Sequence, residues 1–145
     1  MTRQSRQDFE ADVKNGKKIV FYGSNTLLMR FINMFCLNIM ESVKYIVDYE
    51  PDKQGKRIYG INILSHEKLI SEKADDVIIV ITSAHHNKEI LEIVNMINQD
   101  FKVYIAKILV NDVLEHAAVD LYDHQTETTK VCELLYDSVS KKIYT

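Results

Sequence analysis

The chain has 145 residues, 46% of them hydrophobic and 27% charged, which suits one globular domain with a substantial core. A net charge of −3 leaves no basic footprint and speaks against a nucleic-acid partner. No apolar run reaches the roughly 18 residues of a membrane span, and the opening MTRQSRQDFEADVK lacks the apolar core of a secretory signal, so the cytoplasm is the expected compartment.

Residues 5–14 read as a short amphipathic helix with Phe9 and Val13 on one face, ended by Gly16. Lys18 to Tyr22 is a compact run of β formers and the first strand. It passes through Gly23-Ser24-Asn25 into a strongly apolar helix from Thr26 to about Met40, whose core stripe is Leu27, Leu28, Phe31, Ile32, Phe35 and Ile39. So little polar face implies that this helix is covered by other parts of the chain or pairs with a second copy. The second strand, Val43 to Asp48, ends in a carboxylate. The loop YEPDKQGKRIYG leads to a short strand, Ile61 to Leu64, and through Ser65 as N-cap into a helix from His66 to Glu72.

Val77 to Thr82 (VIIVIT) is an uninterrupted apolar β-branched run of the kind found in central parallel strands. Ser83-Ala84-His85-His86 then opens a helix to about Gln99, and Phe101 to Ala106 is a fifth strand. Beyond Leu109 the pattern shifts to a short helix over 110–118, a polar stretch over 120–127 and an amphipathic helix over 129–143, with Val131, Leu134, Leu135 and Val139 on one face. Repeated strand–helix alternation argues for a doubly wound, mostly parallel α/β sheet of about five strands. The expected division is an N-terminal helix (1–16), a nucleotide-binding domain (17–108) and a helical extension (109–145). Cys36 and Cys132 lie in apolar patterns and read as buried thiols, with a disulfide or a reactive thiol as the alternatives.

Three clusters lie where such a sheet holds ligands, at the carboxyl ends of its strands. At Gly23-Ser24-Asn25-Thr26 a strand runs through a glycine into a helix, aiming free N–H groups at whatever sits above the turn. A dinucleotide fingerprint has three glycines there; this run keeps the first and has Asn25 and Leu28 at the other two places. A side chain at Asn25 narrows the approach of a diphosphate. The turn therefore reads either as an anion seat served by Ser24, Asn25 and Thr26 or as a plain helix cap. Asp48, 25 positions after Gly23, stands where a carboxylate would accept ribose hydroxyls, with Lys53, Lys56 and Arg57 nearby as cations for a phosphate. Thr82-Ser83-Ala84-His85-His86 is the third cluster, with Thr82, Ser83 and His85 readable as ligand contacts or the whole as a helix cap. Neither His85 and His86 nor the scattered His66, His116 and His124 have metal-ligand spacing, and no catalytic residue is assigned.

KIVFYGSNTLL, YIVDYEPDKQGKRIYGINILS and DDVIIVITSAHHNKEI together resemble a small Rossmann-like domain of bacterial surface-polysaccharide and sugar-modifying enzymes. That domain stands at the front of sugar-nucleotide dehydratases and is attached to methyltransferases of the FkbM type. The likeness covers about residues 17–106, is most specific from Asp48 to Ile63, and departs from the pattern at Asn25 and Leu28. CELLYDSVSKKIYT resembles the connector into an FkbM-type methyltransferase domain. The resemblance implies an accessory domain that binds NAD or a nucleotide diphosphate sugar and works with a separate catalytic domain or as a homo-oligomer. A fragment of a dehydratase or methyltransferase, a non-binding dimerisation module and a small free-standing dehydrogenase are the other readings. The last lacks an identifiable proton donor and a substrate domain.

Overall fold

The computed structural model describes residues 5–34 and 39–123, with side chains as far as Glu115. The expectations for Cys36, Cys132 and the helix over 129–143 lie outside the described residues. Ten elements follow in chain order: α1 (Arg6–Lys14), β1 (Lys18–Tyr22), α2 (Thr26–Met34), β2 (Val43–Val47), β3 (Arg57–Ile58), β4 (Ile61–Leu64), β5 (Val77–Ile81), α3 (Asn87–Ile97), β6 (Lys102–Ile105) and α4 (Ala106–Asp123). Short 3₁₀ segments precede β2 (Ile39–Ser42) and β5 (His66–Ser71).

The six strands form one sheet in the order β3-β4-β2-β1-β5-β6, parallel throughout except for the β3–β4 hairpin at one edge. The chain therefore winds outward from β1 through β2 to β4, crosses back over β1 to β5, and winds outward again to β6. This is the expected Rossmann-like α/β architecture. Its consequence for function is a topological switch point between β1 and β5, where the connections leave in opposite directions and open a crevice at the carboxyl ends.

Alternation along each strand divides the core into two layers. Ile19, Phe21, Ile46, Ile63, Ile78 and Val80 face α1, α2 and α4. Val20, Tyr22, Tyr45, Val47, Ile79 and Ile81 face α3 and the segment around Leu69. All five residues of β5 are buried, as its unbroken apolar run requires for a strand covered on both sides. Aromatic rings knit α1 and α2 to the sheet edge-to-face: Phe9 meets Phe31 at 5.5 Å and Tyr104 at 5.6 Å, and Phe21 meets Phe31 at 5.7 Å.

Three elements differ from the sequence expectation. The loop before β4 contains a two-residue strand, and its turn places Tyr59 at φ 51° and Gly60 at φ 78°, a left-handed pair that lets the hairpin twist with its strands. The helix expected over 66–72 is a 3₁₀ segment capped by the Ser65 hydroxyl. β6 passes directly into α4, whose Leu109 and Val110 are buried in the same layer as Phe9 and Phe31. Of the α2 stripe, Leu28 and Phe31 are buried in that layer and Leu27, Ile32 and Met34 are partly buried against it, while Phe35 lies outside the described residues.

Asp12 of α1 ties the N-terminal helix to β6. Its carboxylate accepts the Tyr104 hydroxyl at 2.5 Å and pairs with Lys102 at 2.7 Å. Burial alone would raise the Asp12 pKa, but the Lys102 and Tyr104 bonds outweigh it and hold the carboxyl below its ordinary 3.8. A carboxylate whose folded pKa is depressed gives stability that is present above the unfolded value and is lost as pH falls through the folded one. The gap in urea midpoint between the wild type and Asp12→Asn is therefore expected to stay constant at neutral pH and to close below 3.8. A gap that persists undiminished at pH ~2, well below the unfolded range, would show that Asp12 acts through packing alone.

Candidate functional site

The site is built where β1, β2 and β5 end. Gly23 follows β1 at φ 119°, a conformation that side chains rarely adopt. Its N–H donates to the Val47 carbonyl at 2.9 Å, while Thr82 donates its N–H to the Tyr22 carbonyl at 2.9 Å. The Thr82 hydroxyl also donates across the gap, 3.1 Å from the Tyr22 carbonyl and 2.7 Å from that of Gly23. A Cβ on Gly23 would stand 2.7 Å from Thr82 Oγ1, so only glycine fits between these strands.

Asp48 is the hinge of the site. Its own N–H continues the ladder to the Leu64 carbonyl at 3.0 Å, and its carboxylate, on a side chain 6% exposed, reaches back toward the turn after β1. One oxygen accepts the Ser24 N–H at 3.1 Å and the Ser24 hydroxyl at 2.6 Å; the other accepts the Glu50 N–H at 2.9 Å. Gln54 secures the same loop by donating to the Asp48 carbonyl at 2.9 Å. Lys53 lies 4.0 Å from Asp48 and 3.7 Å from Glu50, close enough to offset charge but not in tight contact. In this way the first and second sequence clusters become one structure.

Over these residues lies a cavity of about 160 Å³. Of the residues singled out in the sequence, Gly23, Asn25, Asp48, Lys53 and Ser83 line it. Four of the others stand apart from its lining: Ser24 gives its N–H and hydroxyl to Asp48, and Thr26, Thr82 and His85 lie outside as well. Thr26 is the exposed first residue of α2, Thr82 spends its hydroxyl on the Tyr22 and Gly23 carbonyls, and His85 is exposed beside the lining residue His86. Ser83, 6% exposed, accepts the His86 N–H at 2.9 Å and so shapes the entry to α3.

Sequence reasoning missed Tyr22, Tyr49 and Glu50 as lining residues, and of the adjacent histidine pair it assigned His85 where His86 lines the cavity. Tyr22 is fully buried, yet its hydroxyl has no hydrogen-bond partner among the described residues. Burial, with the nearby Asp48 and Tyr49, pushes its pKa up to about 12, so it is a protonated donor at neutral pH. The His66 ring stacks on Tyr22 at 6.3 Å, and its buried Nδ1 is likewise unpartnered among the described residues. The signal for Tyr22 was its place directly before Gly23, where a strand side chain reaches the rim of the sheet.

Among the described residues, no group of three His, Cys, Asp or Glu side chains is placed to hold a metal ion, and no helix is long and apolar enough to cross a membrane. The arrangement offers hydroxyl donors and acceptors, two carboxylates and one lysine around a small hollow. Compared with known proteins, residues 2–108 match the family model described as C-methyltransferase C-terminal domain. No curated protein matches the chain.

Proposed function

The chain belongs to the family of C-methyltransferase C-terminal domains, and from that membership we propose that it is the ligand-holding accessory domain of a methyl-transfer system. It seats a nucleotide or a nucleotide diphosphate sugar over the carboxyl ends of β1, β2 and β5, and the transfer itself is performed by a domain elsewhere. NAD belongs to the same class of ligand and is tested with it. The observation that carries this reading is the Asp48 carboxylate. It bridges the Gly23 turn to the Glu50 loop beside a cavity lined by Tyr22, whose hydroxyl has no partner among the described residues. Ligands of open α/β sheets bind at such a switch point. The family supplies the association with methyl transfer; the residues supply the hydrogen-bonding groups.

Thermal melting of the purified chain tests the proposal against NAD and a panel of uridine and thymidine diphosphate sugars. A ligand present at about one hundred times its dissociation constant adds about 2.7 kcal/mol, which raises Tm by roughly 5–10 °C in a domain of this size. An unchanged Tm with every member of the panel at millimolar concentration would overturn it.

A further inference from the structure

We infer that the cavity at the switch point takes an uncharged, hydroxylated ring, a ribose or a hexose, and that the N-terminus of α2 is closed to phosphate by the protein's own Asn25. This rests on the preceding reading that the cavity is the ligand site. Three of the N–H groups at this turn are already occupied. Asn25 Oδ1 accepts the Leu27 N–H at 3.1 Å, the Asn25 carbonyl accepts the Leu28 N–H at 3.1 Å, and Asp48 holds the Ser24 N–H at 3.1 Å. Asn25 also stands in the cavity lining, where the dinucleotide fingerprint has a glycine.

Charge points the same way. Among the described residues that line the cavity, Asp48 and Glu50 stand against Lys53 and the neutral imidazole of His86, an excess of negative charge that opposes a diphosphate and suits hydroxyl donors. Size agrees as well. A cavity of about 160 Å³ is close to the roughly 150 Å³ that admits a benzene ring, so it has room for one sugar-sized ring. The remaining requirement is a reason for Tyr22 to bury a hydroxyl without a partner, since such a group forfeits its bonds to water. A ring hydroxyl would provide the missing partner, with the carboxylates accepting from its neighbours.

Isothermal titration of the whole chain with uridine, adenosine and thymidine, each beside its 5′-diphosphate and with methyl glucoside as a further arm, separates the outcomes. A nucleoside that binds within about threefold of its diphosphate supports a ribose in the cavity; saturable binding of the glucoside supports a hexose. A diphosphate more than tenfold tighter than its nucleoside would overturn this inference while leaving the nucleotide site of the preceding section standing. No binding by any probe overturns both. Two variants sharpen the test. Asn25→Gly reopens the helix N-terminus and is expected to tighten diphosphate binding at least tenfold with little change for the nucleoside. Tyr22→Phe is expected to weaken the ring ligand five- to tenfold while leaving the Tm of the ligand-free protein unchanged or slightly higher. A clear fall in that Tm would mean the hydroxyl serves the fold and would count against its role here.

Discussion

Gly23→Ala is expected to destabilise the protein by about 2–6 kcal/mol, read as a shift in urea midpoint at constant m. Two penalties add. A non-glycine residue at φ 119° carries backbone strain of about 1–3 kcal/mol. The new methyl would also stand 2.7 Å from Thr82 Oγ1 and 3.3 Å from the Thr82 carbonyl oxygen, and overpacking of that kind costs about 1–3 kcal/mol. Thr82 has little room to yield, because its hydroxyl is fixed to the carbonyls of Tyr22 and Gly23.

Two companion variants separate strain from clash. Gly16 has a similar φ of 90° with nothing within 4 Å of its missing Cβ, so Gly16→Ala carries only the strain. Thr82→Ala removes the atom that a Cβ at 23 would strike. The double variant Gly23→Ala with Thr82→Ala is therefore expected to lose less than the sum of the singles, by at least about 1 kcal/mol of coupling. Strict additivity would mean that the turn relaxes around the methyl and that strain alone makes glycine necessary. The same geometry sets a functional limit, since any residue that moves Gly23 moves Ser24 and with it the Asp48 carboxylate.

How far the sequence revealed this arrangement depended on whether a feature was written in local chemistry. β5 was legible because an unbroken β-branched run buries both faces in the middle of a parallel sheet, and β1 because its β formers run straight into a glycine turn. β3 was not, because two residues carry no period, and Tyr59 is a poor signal for a left-handed turn that asparagine or glycine would announce. The start of α4 was hidden because no breaker separates it from β6. In the site, Gly23 and Asp48 were legible from spacing, and the bond between Ser24 and Asp48 joins them. Tyr22 was not, since a tyrosine ending a strand reads as core until its hydroxyl is found without a partner. Asn25 was read as a donor to a ligand or as a cap; its side-chain oxygen accepts the Leu27 N–H of its own helix.

The second large effect is expected at Asp48. Asp48→Ala leaves the N–H groups of Ser24 and Glu50 without their acceptor, in a place where the Asp48 side chain is only 6% exposed. Each orphaned donor costs about 1–3 kcal/mol, so a loss of roughly 2–6 kcal/mol and a fall in Tm of roughly 5–20 °C are expected. Asp48→Asn keeps the shape and one acceptor oxygen but turns an amide N–H₂ toward one of the two donors, and its stability should fall between the wild type and the alanine variant. Ser24→Ala removes only the hydroxyl and leaves the backbone bond at 3.1 Å, so it is expected to cost about 1 kcal/mol or less. If Asp48→Ala unfolds with the wild-type midpoint, the loop and the turn hold each other without the carboxylate, and its burial then has no structural reason. In that case Asp48 would have to be kept for the ligand alone. Measuring sugar-ring binding on Asp48→Asn, at a temperature where it stays folded, tells the two roles apart. A carboxylate that only braces the turn leaves affinity nearly intact in the folded amide variant. One that also accepts ring hydroxyls loses affinity by tenfold or more.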